Sequence, residues 1–597
     1  MIKNYRNLRE FIEILKATGE LRVIKTPVSP RLEMSRLIDA ESKSPGGGRA
    51  LLFEKVEGSP FPVAANLFGS HKRIRLALGV RDLDEPGDRI RALIRTKPPQ
   101  GLGDMLGLLP TVLGVGRWFP KRSRAKVAPC QEVVALGDEV DLSRLPVPLC
   151  WPRDAGPFIT LPLVFTKSLS SGRRNLGMYR LQVFDRNTTG MHWHIHKDGS
   201  HFFQEYRQAG KKMPVAVAIG ADPAVIYAAT APLPRDVDEL LLAGFLRQKP
   251  VTMTKCLTVD LEVPAEAEFV LEGYVDPGES RLEGPFGDHT GYYSLADYYP
   301  VFRVTALTRR RDPVYCATLV GPPPMEDCYL GLATERIFLP LLQAAVPEIV
   351  DLLLPWEGVF HNLAVVSIKK DYPGQAQKVM FGLWGQGQMS FCKAILVVDA
   401  DVDLKKPAEV LTRLLERIDL SVDLTLAQGV LDVLDHSSPT AIFGAKLGID
   451  LTEKMAGEPK RRYRIASQPL SDERAAGVGE AAAKAWPGPV DVRVVSVPGV
   501  GEKVLLVSAD KGGKSGRDLA GALSASPDLR EFGIMITLDR DVDLSDGSRV
   551  LWKLLNNVDP GRHFHWDRTR LVIDAGQKGP ADGHFREWPE ELRFDPA

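Results

Sequence analysis

A segment in the middle of the chain recurs near its end. LVVDADVDLKKPAEVLTRLLERIDLSVDL, starting at Leu396, aligns without a gap to ITLDRDVDLSDGSRVLWKLLNNVDPGRHF, starting at Ile536, at a shift of 140 residues. Asp399/Asp539, Asp401/Asp541, Asp403/Asp543, Leu404/Leu544, Leu411/Leu551 and Asp419/Asp559 coincide. Each copy reads as an apolar strand, an acidic turn and a helix. Two copies do not make a solenoid. A duplicated α/β unit is expected instead, the second copy forming a C-terminal domain over 450–597. Its helix face, Val550, Leu551, Leu554 and Leu555, has to be buried on the first copy or on a neighbouring subunit.

The rest of the 597-residue chain divides by pattern. Leu8, Phe11, Ile12 and Leu15 recur at helical spacing and Gly19 stops the run, predicting a helix over 7–18. A mixed α/β segment extends to 125, and the basic run Lys121–Lys126 reads as a solvated linker. From 126 to 330 short strands dominate, at Ile159–Thr166, Met178–Phe184, Val215–Ile219, Phe269–Tyr274 and Phe302–Thr308, with a helix at Val237–Leu246. Strands at this frequency predict a sheet or barrel core. An α/β domain at 331–449 opens on a helix at Thr334–Ala345 that Pro340 could kink.

Charge excludes some function classes. Lys+Arg and Asp+Glu are both 76, so no sequence-wide basic field exists to hold nucleic acid or an anionic membrane. The six cysteines form no C-x-x-C pair, which fits a reducing compartment. The first residues lack a signal-peptide core, and the apolar stretch Leu339–Trp356 is broken by Gln343, Pro347, Glu348 and Asp351. The expectation is a cytoplasmic enzyme without a membrane span.

Three places could carry chemistry. After Asn175 and Arg180 come His192, His194 and His196, which on a strand would share one face. That face suits a metal, or it is a polar face of ordinary hydrogen-bonded histidines. In Glu283-Gly-Pro-Phe-Gly-Asp288, glycine and proline force a tight loop between two carboxylates. Acids held close push their pKa values apart, so one can keep a proton. Two solvated acids on a surface turn are the alternative. Lys393 precedes the strand Ala394–Val398, where a cation could meet a phosphate or flavin edge, or simply be solvated. Its counterpart in the second copy is Gly533, which suggests a structural role for that copy.

These segments together resemble the UbiD-like decarboxylases, which use prenylated FMN, and the resemblance covers most of 1–440. It implies an α/β (α+β) fold with a central split β-barrel binding the flavin, flanked by α/β domains, at 1–125, 126–330, 331–449 and the duplicated 450–597. It implies Asn175, His194 and Glu239 as ligands of Mn2+ or Mg2+, with K+ nearby. Met178, Tyr179, Arg180, Trp193, His194, Ala229, Thr230, Ala231 and Lys393 become cofactor contacts, and Arg180, Glu283 and Asp288 the catalytic set. Asp288 departs from part of the family, where other members carry Glu, and Asp also occurs in members acting on aromatic quinone precursors. The extra C-terminal copy is similar to the longer branch linked to menaquinone synthesis by the futalosine route.

The implied chemistry agrees with the residues. An aryl carboxylate loses CO2 only if its ring can pass electrons to a sink, and a modified flavin is such a sink where no side chain is. The expected activity is reversible, non-oxidative decarboxylation of a small aromatic acid, with a dihydroxynaphthoate first and a 4-hydroxybenzoate-type or α,β-unsaturated acid as alternative. A flavin prenyltransferase would supply the cofactor, and a homodimer or higher homo-oligomer is expected. The rivals are a flavin oxidoreductase on a related barrel and a non-enzymatic scaffold; the paired acids and Arg180 argue against both.

Overall fold

A computed structural model describes residues 5–95, 114–193, 198–234, 237–465, 472–497, 500–567 and 569–594. The chain forms two compact units, one of Met1–Ile337 with Glu590–Ala597 and the other of Phe338–Pro589. Among the described residues no helix is long and apolar enough to cross a membrane, and the six cysteines are unpaired.

In the first unit the predicted N-terminal helix runs over Leu8–Ala17, with Asn7 accepting from the Glu10 amide as its cap and Leu8, Phe11, Ile12, Ile14 and Leu15 buried. It leads into a four-stranded sheet of Leu21–Ile24, Ala50–Phe53, Val63–Ala65 and Tyr315–Cys316. The central sheet orders Thr188–Gly190, Asp297–Arg309, Phe269–Glu283, Met213–Ile219, Pro162–Lys167 and Arg174–Gly177 side by side, with Val133–Leu136 also on Asp297–Arg309. The outer strands of the sheet are Thr188–Gly190 and Arg174–Gly177. Its longest members, Phe269–Glu283 and Asp297–Arg309, are antiparallel and end with Glu283 opposite Asp297. This strand pair therefore delivers Glu283, itself buried, and the acid loop to one place.

Local readings shifted in three places. Met178–Phe184 is not one strand, because pairing covers Arg174–Gly177 and Leu181–Gln182 and leaves the residues between them to other contacts. Lys121–Arg122 is not purely linker, since it pairs in parallel with Thr252–Met253. The helix expected from Thr334 begins at Glu326, whose carboxylate accepts from the Phe68 amide and the Thr318 hydroxyl. A long-range anchor sets that boundary.

The second unit holds the duplication. Strands Ala394–Asp399 and Ile534–Asp539, and helices Pro407–Arg417 and Gly547–Asn557, match at the 140-residue shift read from sequence. Each copy builds a five-stranded sheet of the same order: Ile349–Leu353, Leu363–Ile368, Ala394–Asp399, Phe443–Asp450, Leu424–Val430 in the first, and Val490–Val497, Gly501–Ala509, Ile534–Asp539, Leu571–Asp574, Phe564–Trp566 in the second. Alternate residues divide the work, as strand pleating requires. Ala364, Val366, Ile395 and Val397 pack with Val379, Met380 and Leu383 on the first copy's outer helix. Leu505, Val507 and Met535 do the same with Leu519, Ala520 and Leu523. Their neighbours Leu363, Val365, Leu396 and Val398 join Val504, Leu506, Ile534 and Ile536 in one core common to both copies. Of the helix face expected to be buried, Val550 belongs to that core and Leu554 and Leu555, partly buried, pack against it, whereas Leu551 is not among its residues.

Candidate active site

Arg180 is the centre of a buried ion network in the first unit. Its Nε donates to Glu283 Oε1 at 3.2 Å, Nη1 to Asp288 Oδ2, and Nη2 to Ser294 Oγ at 2.9 Å. The guanidinium lies over Phe286, 4.6 Å from the ring centroid, and 5.9 Å from that of Phe158. Such a planar fork can hold two carboxylates at once while stacking on a ring. The Arg180 side chain is 9% exposed, that of Glu283 0% and that of Asp288 13%. The paired acids are therefore not a solvated surface turn.

The loop between the acids is a small hairpin. Phe286–Gly287 pairs with Tyr293–Ser294, and the Asp288 amide donates to Tyr292 O at 3.1 Å. Gly284 sits at φ +91°, a conformation side chains resist, and its amide donates to Gln182 Oε1. A Cβ on Gly190 would fall 2.4 Å from Glu283 Oε2, so glycine is needed on that neighbouring strand. Burial pushes the Asp288 carboxyl upward, but the Arg180 charge and the His289 contacts outweigh it and hold Asp288 well below the usual carboxylate range. At rest Asp288 is ionised.

His192 is buried with its Nδ1 2.7 Å from Glu283 Oε1 and its ring 4.2 Å from Tyr299. Burial first, and then Arg180, hold its pKa well below the ordinary histidine value, so it is neutral. The three-histidine strand face is thus corrected in one member: residues 191–193 are not strand, and His192 turns to Glu283. His194 and His196 lie outside the described residues.

The other expected residues fall into two groups. Met178 donates its amide to Ala229 O at 3.1 Å, bringing Met178–Arg180 beside the turn Ala229–Ala231 that ends the helix Pro223–Ala228. Tyr179 and Trp193 are buried. The Trp193 Nε1 hydrogen finds no acceptor among the described residues; the nitrogen lies at the start of the helix Asp198–Gln208, where a Cβ on Gly199 would fall 2.8 Å from it. Asn175 is buried on Arg174–Gly177, and Glu239, first residue of the helix Glu239–Arg247, accepts the Leu176 amide at 3.0 Å. Asn175 and Glu239 therefore offer oxygen donors from adjoining positions, a set that suits Mg2+ or Mn2+ and a phosphate. Lys393 belongs to the second unit, where it is buried and donates to Asp435 Oδ2 at 2.8 Å and Ser437 Oγ at 3.2 Å.

Sequence reasoning did not find Ser294, Tyr299, Phe158 or Asp154. Asp154 Oδ1 accepts from the Gly287 amide at 2.7 Å and Oδ2 from the Cys150 and Trp151 amides, so it braces the acid loop. Asp327 was also missed; burial pushes its carboxyl up to about 6, with the His289 charge opposing. The contacts of Ser294, Asp154 and Tyr299 span 107 to 133 residues and leave no local pattern. The one usable signal was Gly287 within the loop, since a Cβ there would lie 2.1 Å from Trp151 Cδ1.

Residues 12–93, 121–323 and 328–451 match the N-terminal, Rift-related and C-terminal domains of 3-octaprenyl-4-hydroxybenzoate carboxy-lyase, UbiD. An uncharacterized protein of Archaeoglobus fulgidus is 50% identical over 462 residues, covering 77% of this chain and 94% of that one. One from Helicobacter pylori strain J99 is 38% identical over 596 residues, covering 98% and 94%. Among solved structures, the UbiD-class enzyme HmfF from Pelotomaculum thermopropionicum in complex with FMN is 31% identical with TM-score 0.65, covering 78% of this chain and 98% of that one. Sedimentibacter hydroxybenzoicus vanillic acid decarboxylase in closed form is 27% identical with TM-score 0.68, covering 81% and 98%.

Proposed function

The chain is a member of the UbiD family of carboxy-lyases, and from that premise we propose that it removes CO2 from an aromatic carboxylic acid with the help of prenylated FMN. The observation that carries the reading is Arg180 held between Glu283 and Asp288 over an aromatic ring. A dihydroxynaphthoate-type menaquinone precursor is the substrate we favour. What supports it is the likeness of the duplicated C-terminal copy to the longer branch of the family.

When bound, the flavin supplies the electron sink that decarboxylation of a ring requires. The chain's residues do the rest. Met178–Arg180, Trp193 and Ala229–Ala231 would cradle the ring system, and Asn175, Glu239 and His194 would hold Mn2+ or Mg2+, with K+ nearby, against its phosphate. Lys393 is kept as a candidate cofactor contact. A flavin prenyltransferase would make the cofactor, and a homodimer or larger assembly would form.

Arg180 would receive the substrate carboxylate, and the arriving anion competes with Asp288 for the guanidinium. Losing that charge lets the Asp288 pKa rise until it can hold a proton. The carbon–carboxylate bond then breaks, CO2 leaves, and the electron pair left on the ring carbon takes the proton from Asp288. Glu283, fixed by Arg180 and His192, keeps the guanidinium in line and shares the proton. Bulk water reprotonates Asp288, so one proton is consumed per CO2 released.

The test is CO2 release from cofactor-loaded enzyme offered a panel of hydroxynaphthoic, hydroxybenzoic and enoic acids. A dihydroxynaphthoate is expected to react fastest. Release from none of them, with oxidation of a reduced flavin donor instead, would replace this reading by an oxidoreductase.

A further inference from the structure

The last described residues belong to the first unit. There they line the hairpin that carries Asp288. The Tyr293 amide donates to Glu590 O and the Leu592 amide to Gly291 O, both at 2.9 Å, and Tyr292 bridges Glu591 in antiparallel sense. Phe594 stacks on Trp151 at 4.5 Å between centroids with the planes 24° apart, and the Arg36 guanidinium lies 5.4 Å from the Phe594 centroid. Leu592 is buried at the point where Gly287 comes closest, since a Cβ on Gly287 would lie 2.9 Å from Leu592 Cδ2. Arg153 pairs with Glu590 at the surface, where such a pair adds little.

The hairpin needs this company. Its own ladder is two residues on each side, too short to stand alone in water. Arg180 and Ser294 hold it on the side of the ion network, and Asp154 takes its Gly287 amide. Trp151, whose Nε1 donates to Val320 O at 2.9 Å, is the fixed surface against which Phe594 rests.

We propose that Glu590–Phe594 is a positioning strand for the acid hairpin: it fixes Asp288 against Arg180, so that turnover depends on residues at the end of the chain that touch neither substrate nor cofactor. This rests on Asp288 being the proton donor. Misplacing a catalytic group by about 1 Å can cost about 100-fold in rate.

The test compares the full chain with a chain ending at Pro589, with Phe594→Ala and with Phe594→Trp, all loaded with flavin. Two readouts are taken: hydrogen exchange of residues 284–294, and CO2 release from the acid that reacts best in the panel. The shortened chain is expected to exchange faster across 284–294 only, to retain its flavin, and to lose about 10- to 100-fold in kcat with KM within a factor of three. Phe594→Ala should fall between, Phe594→Trp should restore the rate, and a synthetic peptide of residues 590–597 should rescue the shortened chain saturably. Unchanged exchange would show that the tail does not hold the hairpin. Faster exchange with undiminished kcat would show that holding it does not matter. Asp288→Asn, run alongside, separates the two ideas: full turnover there removes the donor role itself, whereas an inactive Asp288→Asn beside a fully active shortened chain removes only the strand.

Discussion

Asp288 and Glu283 differ in what surrounds them, and the difference assigns their roles. Asp288 retains 13% exposure and has His289 as a second partner beside Arg180, whereas Glu283 is sealed between Arg180 and His192. Water can reprotonate the first more readily than the second. Asp288→Asn keeps the shape but cannot donate a carboxylic proton, so flavin should stay bound while kcat falls by about 10²–10⁴-fold. A rate within a factor of three of the parent would shift the donor role to Glu283. Glu239 is argued differently. Its carboxylate accepts the Leu176 amide beside Asn175, and removing it takes away the anionic ligand proposed for the cation. Glu239→Ala should lose bound metal, measured by elemental analysis, and with it flavin absorbance. Full flavin occupancy without metal would disconnect the two.

At the scale of elements, the duplication explains why one copy carries the lysine. In the first sheet Ala394 pairs with Leu447, 53 residues on, and in the second Ile534 pairs with Leu571, 37 residues on. The second copy is shorter by 16 residues after its helix, in the connection that in the first copy includes Asp435 and Ser437. Lys393 and its carboxylate partner thus come together in the first copy and are missing together from the second. Burial pushes the Asp435 carboxyl up, but Lys393, His436 and Ser437 outweigh it and hold it well below the ordinary range. Between the folded and unfolded pKa values the unfolded chain binds the extra proton, so stability rises with pH there. The contribution is present above about pH 4 and lost as pH falls toward the folded pKa. Asp435→Asn should flatten the acid side of a Tm-against-pH curve. It should also lower stability at pH 7 by about 3–5 kcal/mol, because Lys393 is left buried without its counter-charge. An unaltered acid limb would mean that this pair does not couple folding to pH.

The repeat was legible because its strands and helices carry the same apolar period in both copies. So was the acid loop, whose glycines and proline sit at fixed offsets from Glu283 and Asp288. What could not be read were meetings between distant segments. His192 reaches Glu283 across 91 residues and Asp154 reaches Gly287 across 133. Neither leaves a periodic mark, because one side chain turned toward another element repeats nothing. The Met178–Phe184 reading failed for the same reason. Apolar alternation looked like a strand, but the Met178 amide is used by Ala229 O, outside any sheet.

For the whole molecule, the sharpest consequence concerns where the chain can be cut. The second copy does not stand apart in its unit: Val504, Leu506, Ile534 and Ile536 share a core with Leu363, Val365, Leu396 and Val398 of the first. Polar bonds cross the same boundary, from Asn362 Nδ2 to Asn556 Oδ1 at 2.9 Å and between His436 Nε2 and Asn557 Oδ1 at 3.1 Å. Burying one such aliphatic side chain is worth about 1.5–3 kcal/mol, so removing the copy exposes far more than a domain of ordinary stability tolerates. The cut must also spare 451–465, because Lys454 and Arg461 neutralise the buried Asp423, and Lys370 and Glu458 form a pair that is 5% and 6% exposed. A chain ending at Ile465 is therefore expected to aggregate or to elute at a changed size in size-exclusion chromatography, with Tm lowered. The chain ending at Pro589 keeps the shared core and should elute as the full protein does. A monodisperse, thermally unchanged protein ending at Ile465 would show that the first copy can close its own core. Flavin absorbance adds the last distinction: the same elution profile with all bound flavin lost would place a cofactor contact in the second copy, despite Gly533 standing where the first has Lys393.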